Sequence, residues 1–295
     1  MRLVFLGTPS PATRILEALV SAGHDVALVV SRADKRRGRG NELSPSSVKR
    51  RAMELGLPVT HNLDAARSVD AELGVVVAYG RMIPPQVLNE LPMINVHFSL
   101  LPRWRGAAPV ERALLAGDVE TGVCIMRLVD ALDEGPVYAR AVTSIAPRET
   151  STELLARLTE IGAKLVADTL ARPLGEPRRQ EGASTYAAKL EPLEFELDWS
   201  RPAAVLDRLV RVGRAWTTFR GNRLRILEAV PLEAVPVETA TDSDAEAYGV
   251  LRGDVVRCAI GGLLLLRVQP AGKAAMAATD WMNGAHPEPG EQLGR

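Results

Sequence analysis

Residues 2–31, RLVFLGTPSPATRILEALVSAGHDVALVVS, contain a strand, a helix and a second strand in succession. The runs RLVFLG (2–7) and DVALVVS (25–31) are mostly apolar, as are strands of a parallel sheet that is covered on both faces. Between them, residues 12–23 have apolar side chains at helical spacing and end at Gly23, a common helix stop. This segment predicts the first unit of an α/β fold.

The same alternation continues along the chain. A helix is predicted near residues 46–56, a closing helix near 151–171, and strands at PVTH (58–61), LGVVVAYG (73–80) and INVH (94–97), with two more inside 122–145. Strands that alternate with helices form a parallel sheet with helices on both faces. We therefore predict a doubly wound, Rossmann-like α/β domain with a mostly parallel sheet. Its ligand site should lie at the carboxyl ends of the strands.

The C-terminal part has a different pattern. Residues 172–199 are rich in Pro and Gly and have no sustained period, which is typical of a linker. One predicted helix, 201–213, precedes short strand-like runs separated by turn residues, which predict a small, OB-like β-barrel. The expected domains are 1–175 for the α/β domain, 176–199 for the linker and 200–295 for the barrel. The acidic segment 238–247 is expected to be a barrel loop.

Composition excludes several functional classes. The chain has 46% apolar and 24% charged residues and a formal net charge of zero, as is typical of a soluble globular protein. No apolar run approaches the roughly 20 residues of a membrane-spanning helix. Cys124 and Cys258 lie far apart in apolar runs and the histidines are scattered, so neither a disulfide framework nor a metal site is indicated. We expect a cytoplasmic protein and, without an obvious dimerisation segment, a monomer.

Polar side chains at the end of the strand INVH indicate a catalytic site. Asn95 and His97 lie on one face because side chains alternate along a strand. An amide can donate to an oxygen that becomes negative, and a histidine changes its charge near neutral pH. Together with Asp133 they suit the attack of a neutral amine on a carbonyl group. Spacing alone leaves Asp133 equally consistent with a turn, because Asp-Glu-Gly-Pro is a favourable turn sequence.

Other catalytic motifs are missing from the sequence. It contains neither a nucleophile elbow nor a P-loop, and the first strand leads into GTPSPA instead of GxGxxG. A dehydrogenase that binds a nicotinamide dinucleotide is therefore disfavoured.

The segments NVHFSLLPRWRGAAPVERALLAGD (95–118) and TGVCIMRLVDALDEGPVY (121–138) resemble the methionyl-tRNA formyltransferase family. Similar segments, among them FLGTP, VVVAYGRMIP, TYAAKL, LDWSRPAA and QPAGKAAM, extend the resemblance over nearly the whole chain. It implies direct transfer of a formyl group from 10-formyltetrahydrofolate to the amino group of methionine on initiator tRNA. In this resemblance Asn95, His97 and Asp133 occupy the family's catalytic positions.

The resemblance also implies where folate binds. The family's folate-binding loop is matched by Ser99, Leu100, Leu101 and Pro102. The strand-end residues Tyr79 and Gly80 are further candidate folate contacts. The sequence departs from the family at Phe98, where a small residue is common, and at Pro11, where an aromatic is common. Residues 213–217, GRAWT, replace the common Asn-Pro-Trp-Pro segment.

Two basic clusters are candidate tRNA contacts. Residues 31–51 contain eight Lys or Arg and two acids, and the candidate phosphate ligands there are Arg36, Arg37, Arg39 and Lys49. The second cluster lies in the predicted barrel and comprises Arg208, Arg211, Arg214, Arg220 and Arg223. Trp216 and Phe219 are interleaved with it, as in platforms that bind nucleic acid. Solvated surface charge and an ordinary barrel core are the competing interpretations.

Two other functions remain open at the level of sequence. A formyltransferase for a small amine, such as a nucleotide sugar or a purine precursor, would use the same chemistry but would not need the basic clusters. An inactive tRNA-binding or folate-binding module would not need the intact set Asn95, His97 and Asp133.

Overall fold

The computed structural model describes residues 1–37, 42–234 and 247–294. The chain divides into two compact units, and each is described by itself. The first unit comprises residues 1–113, 119–146 and 153–189. The second comprises residues 114–118 and 147–152 together with the described chain from residue 190 onward.

The longer elements as far as residue 187 follow the predicted alternation, whereas several short ones were not predicted. The strands are β1 Arg2–Gly7, β2 Asp25–Val30, β3 Lys35–Arg37, β4 Glu42–Ser44, β5 Val59–Thr60, β6 Leu73–Val77, β7 Met93–His97, β8 Arg105–Gly106, β9 Glu120–Arg127, β10 Val137–Ser144 and β11 Tyr186–Ala187. The helices are α1 Ser10–Ser21, α2 Ser47–Glu54, α3 Pro85–Glu90, α4 Pro109–Ala116 and α5 Ser151–Leu170, with a 3₁₀ helix at Leu63–Ser68.

The central sheet of the first unit has the strand order β10-β9-β7-β6-β1-β2-β5. The five strands from β7 to β5 are parallel, and β9 and β10 extend the sheet in antiparallel fashion. The prediction of a doubly wound, mostly parallel sheet is confirmed. The chain changes direction across the sheet between β1 and β6, where the Thr8 hydroxyl donates to the Tyr79 carbonyl at 3.1 Å. Ligands bind at such switch points in α/β sheets.

Local sequence explains how α1 covers this sheet. The helix begins after Pro9 and contains Pro11 in its first turn, where a missing N–H is tolerated. The departure from the family at Pro11 is therefore compatible with the helix. Ile15, Leu16 and other apolar side chains on one face are fully buried. The chain leaves the helix through Gly23, whose φ of +81° suits a residue without a side chain.

The predicted linker, 176–199, is partly built into the first unit. Arg178 exchanges two backbone hydrogen bonds with Val137, at 2.7 and 2.9 Å. Strand β11 pairs in parallel with β8, so that Tyr186 lies opposite Arg105. Residues 178–187 therefore contact the segments that precede and follow the predicted catalytic residues.

The second unit contains an antiparallel sheet. Its strands are β12 Trp216–Phe219, β13 Asn222–Leu232, β14 Leu251–Arg252, β15 Val255–Arg257, β16 Gly262–Pro270 and β17 Met276–Ala277. Its helices are α6 Ala203–Val212 and α7 Ala278–Ala285, with a 3₁₀ helix at Pro192–Phe195. The strand order is β12-β13-β16-β15-β14, and β17 pairs with β16. Helix α7 was not predicted from the sequence.

The two edges of this sheet are joined by residues 291–294. Residues 249–251 exchange backbone hydrogen bonds with residues 291–293, and the N–H of Gly294 donates to the carbonyl of Thr218 in β12 at 2.8 Å. This segment satisfies backbone groups at both edges, as a barrel requires. The predicted acidic loop, 238–247, lies outside the described residues except for Ala247. In the described ranges, no helix combines the length and the apolarity that a bilayer span needs.

Candidate active site

Strand β7 places Asn95 and His97 on one face at its carboxyl end. The strand is held between β6 and β9, with Asn95 opposite Met126 and His97 opposite Cys124. The intervening Val96 is buried on the opposite face. The two polar side chains are thus fixed by a sheet that is paired on both sides.

The loop between β9 and β10 brings Asp133 to these two side chains. Its carboxylate oxygens lie 3.6 Å from Nδ1 of His97 and 3.5 Å from Nδ2 of Asn95. The carboxylate also accepts a hydrogen bond from the backbone N–H of Gly106 at 2.8 Å. The side chains of His97 and Asp133 are 6% and 10% exposed, so water screens their interaction weakly. The structure brings the three predicted catalytic residues together.

The partners of His97 determine where its ring carries protons. Nε2 lies 2.8 Å from the carbonyl oxygen of Trp104, and because a carbonyl only accepts, Nε2 carries a proton. Nδ1 then faces the Asp133 carboxylate, without a proton in the neutral ring and with one in the cationic ring. A proton between Nδ1 and the carboxylate removes the repulsion between their lone pairs. The His97–Asp133 pair can therefore take up and release one proton.

Three non-glycine residues around the site have left-handed backbone conformations. The φ angles are +45° at Ala78, +62° at Trp104 and +51° at Asp133. Such conformations cost of order 1–3 kcal/mol each and concentrate at functional sites. They occur in the loops that follow β6, β7 and β9. Aspartate tolerates this conformation, so the local sequence disfavours it mainly at Ala78 and Trp104.

A cavity of about 480 Å³ opens beside the three predicted catalytic residues. This volume is within the range of about 300–1,000 Å³ that is typical of small-molecule sites. Asn95, His97 and Asp133 form part of the wall. The rest is mostly apolar and includes Tyr79, Gly80, Met82, Ile83, Leu128 and Leu132.

The predicted folate contacts fall into two groups. Tyr79 and Gly80 line the cavity, but the loop Ser99, Leu100, Leu101 and Pro102 does not. Ser99 is fully buried, and its hydroxyl donates to the carbonyl of Arg103 at 2.6 Å. Leu101 instead lines a second cavity, of about 440 Å³, together with Arg140, Arg178 and Arg179. In this structure the loop shapes the turn that carries the Trp104 carbonyl to His97.

Sequence reasoning missed several residues at the site. Met82 and Ile83 follow the strand-end residues Tyr79 and Gly80 after one intervening residue, and this position could have identified them. Gly106 gave no such signal, because its role depends on its N–H and on Asp133, which lies in a distant segment.

Part of the first basic cluster lies in a β-hairpin. Arg36 and Arg37 lie in β3, which pairs with β4, while Arg39 lies outside the described residues. Lys49, in α2, forms an ion pair with Asp34 at 2.8 Å, and both side chains are about one-third exposed. A phosphate that binds Lys49 would therefore compete with Asp34 for its ammonium group.

The arginines of the second basic cluster differ in whether they form ion pairs with acidic side chains. Arg211 is largely buried and forms an ion pair with Asp207 at 2.8 Å, and Arg220 forms one with Glu291 at 2.6 Å. No ion pair is found within the described ranges for Arg208, Arg214 or Arg223.

The two aromatics in this cluster also differ. Phe219 is buried and meets Trp281 edge to face, with ring centroids 5.0 Å apart. Trp216 is half-buried, and the guanidinium of Arg223 lies 4.2 Å from its ring centroid. Phe219 therefore belongs to the core of the second unit, whereas Trp216 and Arg223 form an outward stack.

Neither cysteine contributes to the site. Burial raises the pKa of the Cys258 thiol to about 12 and also raises the pKa of Cys124, so both remain protonated at neutral pH. Within the described parts of the chain, no cluster of three His, Cys, Asp or Glu side chains could hold a metal ion.

Comparisons with known proteins find relatives over nearly the whole chain. Residues 1–170 match the formyl transferase family, and residues 189–286 match the formyl transferase C-terminal domain. A methionyl-tRNA formyltransferase of Roseobacter denitrificans is 43% identical, with 98% of both chains covered. One of Dinoroseobacter shibae is 42% identical, with 96% of this chain and 97% of the relative covered.

Among solved structures, an N-formyltransferase from Helicobacter canadensis in complex with folinic acid and dTDP-3-aminofucose has a similar fold. Its TM-score is 0.68 at 15% identity, with 91% of this chain and 98% of that chain covered. At this identity the likeness concerns the fold. The family matches and the near full-length relatives show that the chain belongs to the methionyl-tRNA formyltransferase family of formyl transferases.

Proposed function

We propose that this protein transfers a formyl group from 10-formyltetrahydrofolate to the amino group of methionyl initiator tRNA. The observation that carries the proposal is the adjacency of Asn95, His97 and Asp133 at the wall of a cavity, in a chain of this family. The near full-length similarity to methionyl-tRNA formyltransferases favours a tRNA acceptor over a small amine.

The cavity fits the folate co-substrate. Its mostly apolar wall, with Met82, Ile83 and Leu128, suits a flat ring system, and its polar groups lie together at Asn95 and His97. Apolar pockets with a few convergent polar groups are typical of small-molecule sites. When bound there, the co-substrate supplies the formyl group.

The residues present can carry out the transfer without a covalent enzyme intermediate. A bond forms between the amine nitrogen and the formyl carbon, the bond from that carbon to N10 of folate breaks, and one proton passes from the amine to the leaving nitrogen. The Asn95 amide, which has only a long contact to Asp133, can donate to the oxygen that becomes negative. The site also orients the two reactants.

The His97–Asp133 pair manages the proton. The pair accepts the proton that the amine loses, because Nδ1 and the carboxylate share a site for it. The resulting imidazolium carries its charge at the cavity wall beside Asn95, where it can stabilise the oxyanion, and it then gives the proton to the leaving nitrogen N10. The Trp104 carbonyl keeps Nε2 protonated throughout.

The basic residues are proposed as tRNA contacts of unequal weight. In the first cluster these are Arg36, Arg37, Arg39 and Lys49. In the second cluster Arg208, Arg214 and Arg223 suit phosphate binding better than Arg211 and Arg220, whose charges are paired with acids. The stack of Arg223 on Trp216 resembles surfaces that bind nucleic acid.

The remaining proposals concern organisation and location. We propose that residues 1–175 perform the transfer, that 176–199 connect the domains and that 200–295 bind tRNA.

A cytoplasmic location follows from the proposed substrate, since aminoacylated tRNA is used where translation occurs. A monomer is proposed, and light scattering during gel filtration measures its mass directly.

A competition between acceptors tests the proposed function. Purified protein with 10-formyltetrahydrofolate is offered methionyl initiator tRNA, methionyl elongator tRNA and a nucleotide amino sugar in parallel. We expect the initiator tRNA to be formylated with the highest kcat/KM. Preferential formylation of the amino sugar would retain the chemistry but contradict the proposed acceptor.

A further inference from the structure

Gln180 contacts the loop that carries Asp133, although it lies in the segment predicted as a linker. Its Nε2 donates to the carbonyl of Asp133 at 2.7 Å and to the carbonyl of Gly135 at 2.8 Å. Its Oε1 accepts from Nη2 and Nε of Arg105, at 2.8 and 3.1 Å. Both donors and both acceptor positions of the amide are therefore used.

These contacts fix the orientation of the amide. Carbonyl oxygens only accept and a guanidinium only donates, so a reversed amide would place oxygen against oxygen and nitrogen against nitrogen. Gln180 itself is anchored by the backbone, because Arg178, two residues before it, pairs with Val137 at the start of β10. The amide is a rigid bridge between Arg105 and residues 133–135.

The bridged loop needs external support. Asp133 has a φ of +51°, which costs free energy for a residue with a side chain. Gly135 is so close to β9 that a Cβ atom there would lie 1.8 Å from the Arg127 carbonyl oxygen. Arg105 also forms an ion pair with Glu134 at 2.8 Å, so three successive loop residues are held by Gln180 and Arg105.

The two-residue strand β8 holds both the carboxylate and the backbone of Asp133. In β8, the Gly106 N–H holds the Asp133 carboxylate, while the Arg105 side chain holds its backbone through Gln180. A shift of this loop would change the 3.6 Å separation between Asp133 and Nδ1 of His97. A displacement of about 1 Å at a reacting group can lower a rate about 100-fold.

We propose that Gln180 is a positioning residue for the formyl transfer reaction, which holds Asp133 against His97 through its backbone. The inference rests on the proposed function, because its effect is measured as formyl transfer. It predicts that loss of the Gln180 donors slows the chemical step without weakening substrate binding to a comparable degree.

Two substitutions separate positioning from folding. Gln180→Ala removes the bridge, and Gln180→Glu keeps the size and the contact to Arg105 but turns an acceptor towards two carbonyl oxygens. The matched control is Gln86→Glu, which makes the same charge change at an exposed position of α3 in the first unit. Should Gln180→Glu not fold, Gln180→Ala decides the outcome alone.

The measurement is single-turnover formylation of methionyl initiator tRNA, in which the amplitude reports the active fraction and the rate constant reports the chemistry. We expect both Gln180 variants to lower the rate constant about 10-fold or more, with KM for either substrate changed less than threefold and Gln86→Glu unchanged. Rate constants within twofold of the wild type, or a loss of amplitude alone, would overturn the inference. A wild-type protein that does not formylate the tRNA would instead overturn the proposed function.

Discussion

At the scale of single residues, the proposed chemistry depends on one shared proton. His97 has the Trp104 carbonyl on Nε2 and the Asp133 carboxylate near Nδ1. Alternation along a strand was enough to predict that Asn95 and His97 share a face. Spacing could not decide whether Asp133 joins them, since no local pattern indicates which loop reaches a given strand end, and the family resemblance supported its assignment.

Replacement of the carboxylate tests this assignment. Asp133→Asn retains an oxygen for the Gly106 N–H but cannot take up a proton or stabilise the imidazolium. We expect kcat to fall about 100-fold or more, with little change in the melting temperature. The control is Asp70→Asn, at an exposed position. A kcat within a few-fold of the wild type would exclude Asp133 from the proton transfer.

The buried thiols give a prediction about pH. The pKa of Cys258 rises from about 9.0 to about 12 on folding because burial disfavours the thiolate. The protonated form therefore stabilises the fold at pH below 9, and this contribution is lost as the pH rises from 9 to 12. Native protein at pH 8 should react slowly with a thiol reagent, and protein in denaturant should react quickly at two cysteines. Rapid labelling of the native protein would contradict the burial of both thiols.

At the scale of elements, the site is assembled from the carboxyl ends of β6 and β7 and the loop after β9. The apolar runs identified the strands, because buried parallel strands are continuous in hydrophobicity. Strand β8 and its partner β11 escaped prediction, because each is two residues long and is defined by a pairing between distant segments. The contacts of residues 178–187 likewise depend on tertiary packing that a pattern rich in Pro and Gly does not show.

The close approach of β8 and β11 can be tested at one glycine. Gly106 has a φ of +114°, and a Cβ atom there would lie 2.8 Å from the Tyr186 ring and 2.9 Å from the Ala187 carbonyl oxygen. We expect Gly106→Ala to destabilise the protein by about 1–3 kcal/mol and to lower kcat. Gly175→Ala is the control, because no atom lies within 4 Å of a Cβ at that position. Equal denaturant midpoints for the two variants would refute the close packing.

At the scale of the whole molecule, the net charge is zero, but the arginines differ in their partners: some form ion pairs with acids and others do not. Arg211 forms an ion pair with the buried carboxylate of Asp207. The same carboxylate forms a second ion pair, with Arg148, at 2.9 Å. Arg223 lies outward on Trp216. The sequence could predict a basic cluster but not this division, because it arises from which side chains find acids in the folded unit.

This difference in ion pairing predicts that substitution of one arginine affects tRNA binding and substitution of the other affects stability. Arg223→Ala should raise KM for tRNA several-fold and reduce its salt dependence, because a phosphate contact releases a counterion, while stability is unchanged. Arg211→Ala should lower the free energy of unfolding by about 1–3 kcal/mol, because Asp207 loses a charged partner. Urea titrations and kinetics over a range of salt concentrations measure both effects. A reversal of the two phenotypes would contradict the assignment.

The most direct test of the central claim is formyl transfer from 10-formyltetrahydrofolate to methionyl initiator tRNA by the wild-type protein and by His97→Ala. We expect the wild type to formylate the tRNA and the variant to lose at least 100-fold in kcat while it retains its fold, since proton transfer by a positioned side chain contributes about 10²–10⁴-fold. Equal rates for the two proteins would show that the site at the end of β7 does not perform the transfer.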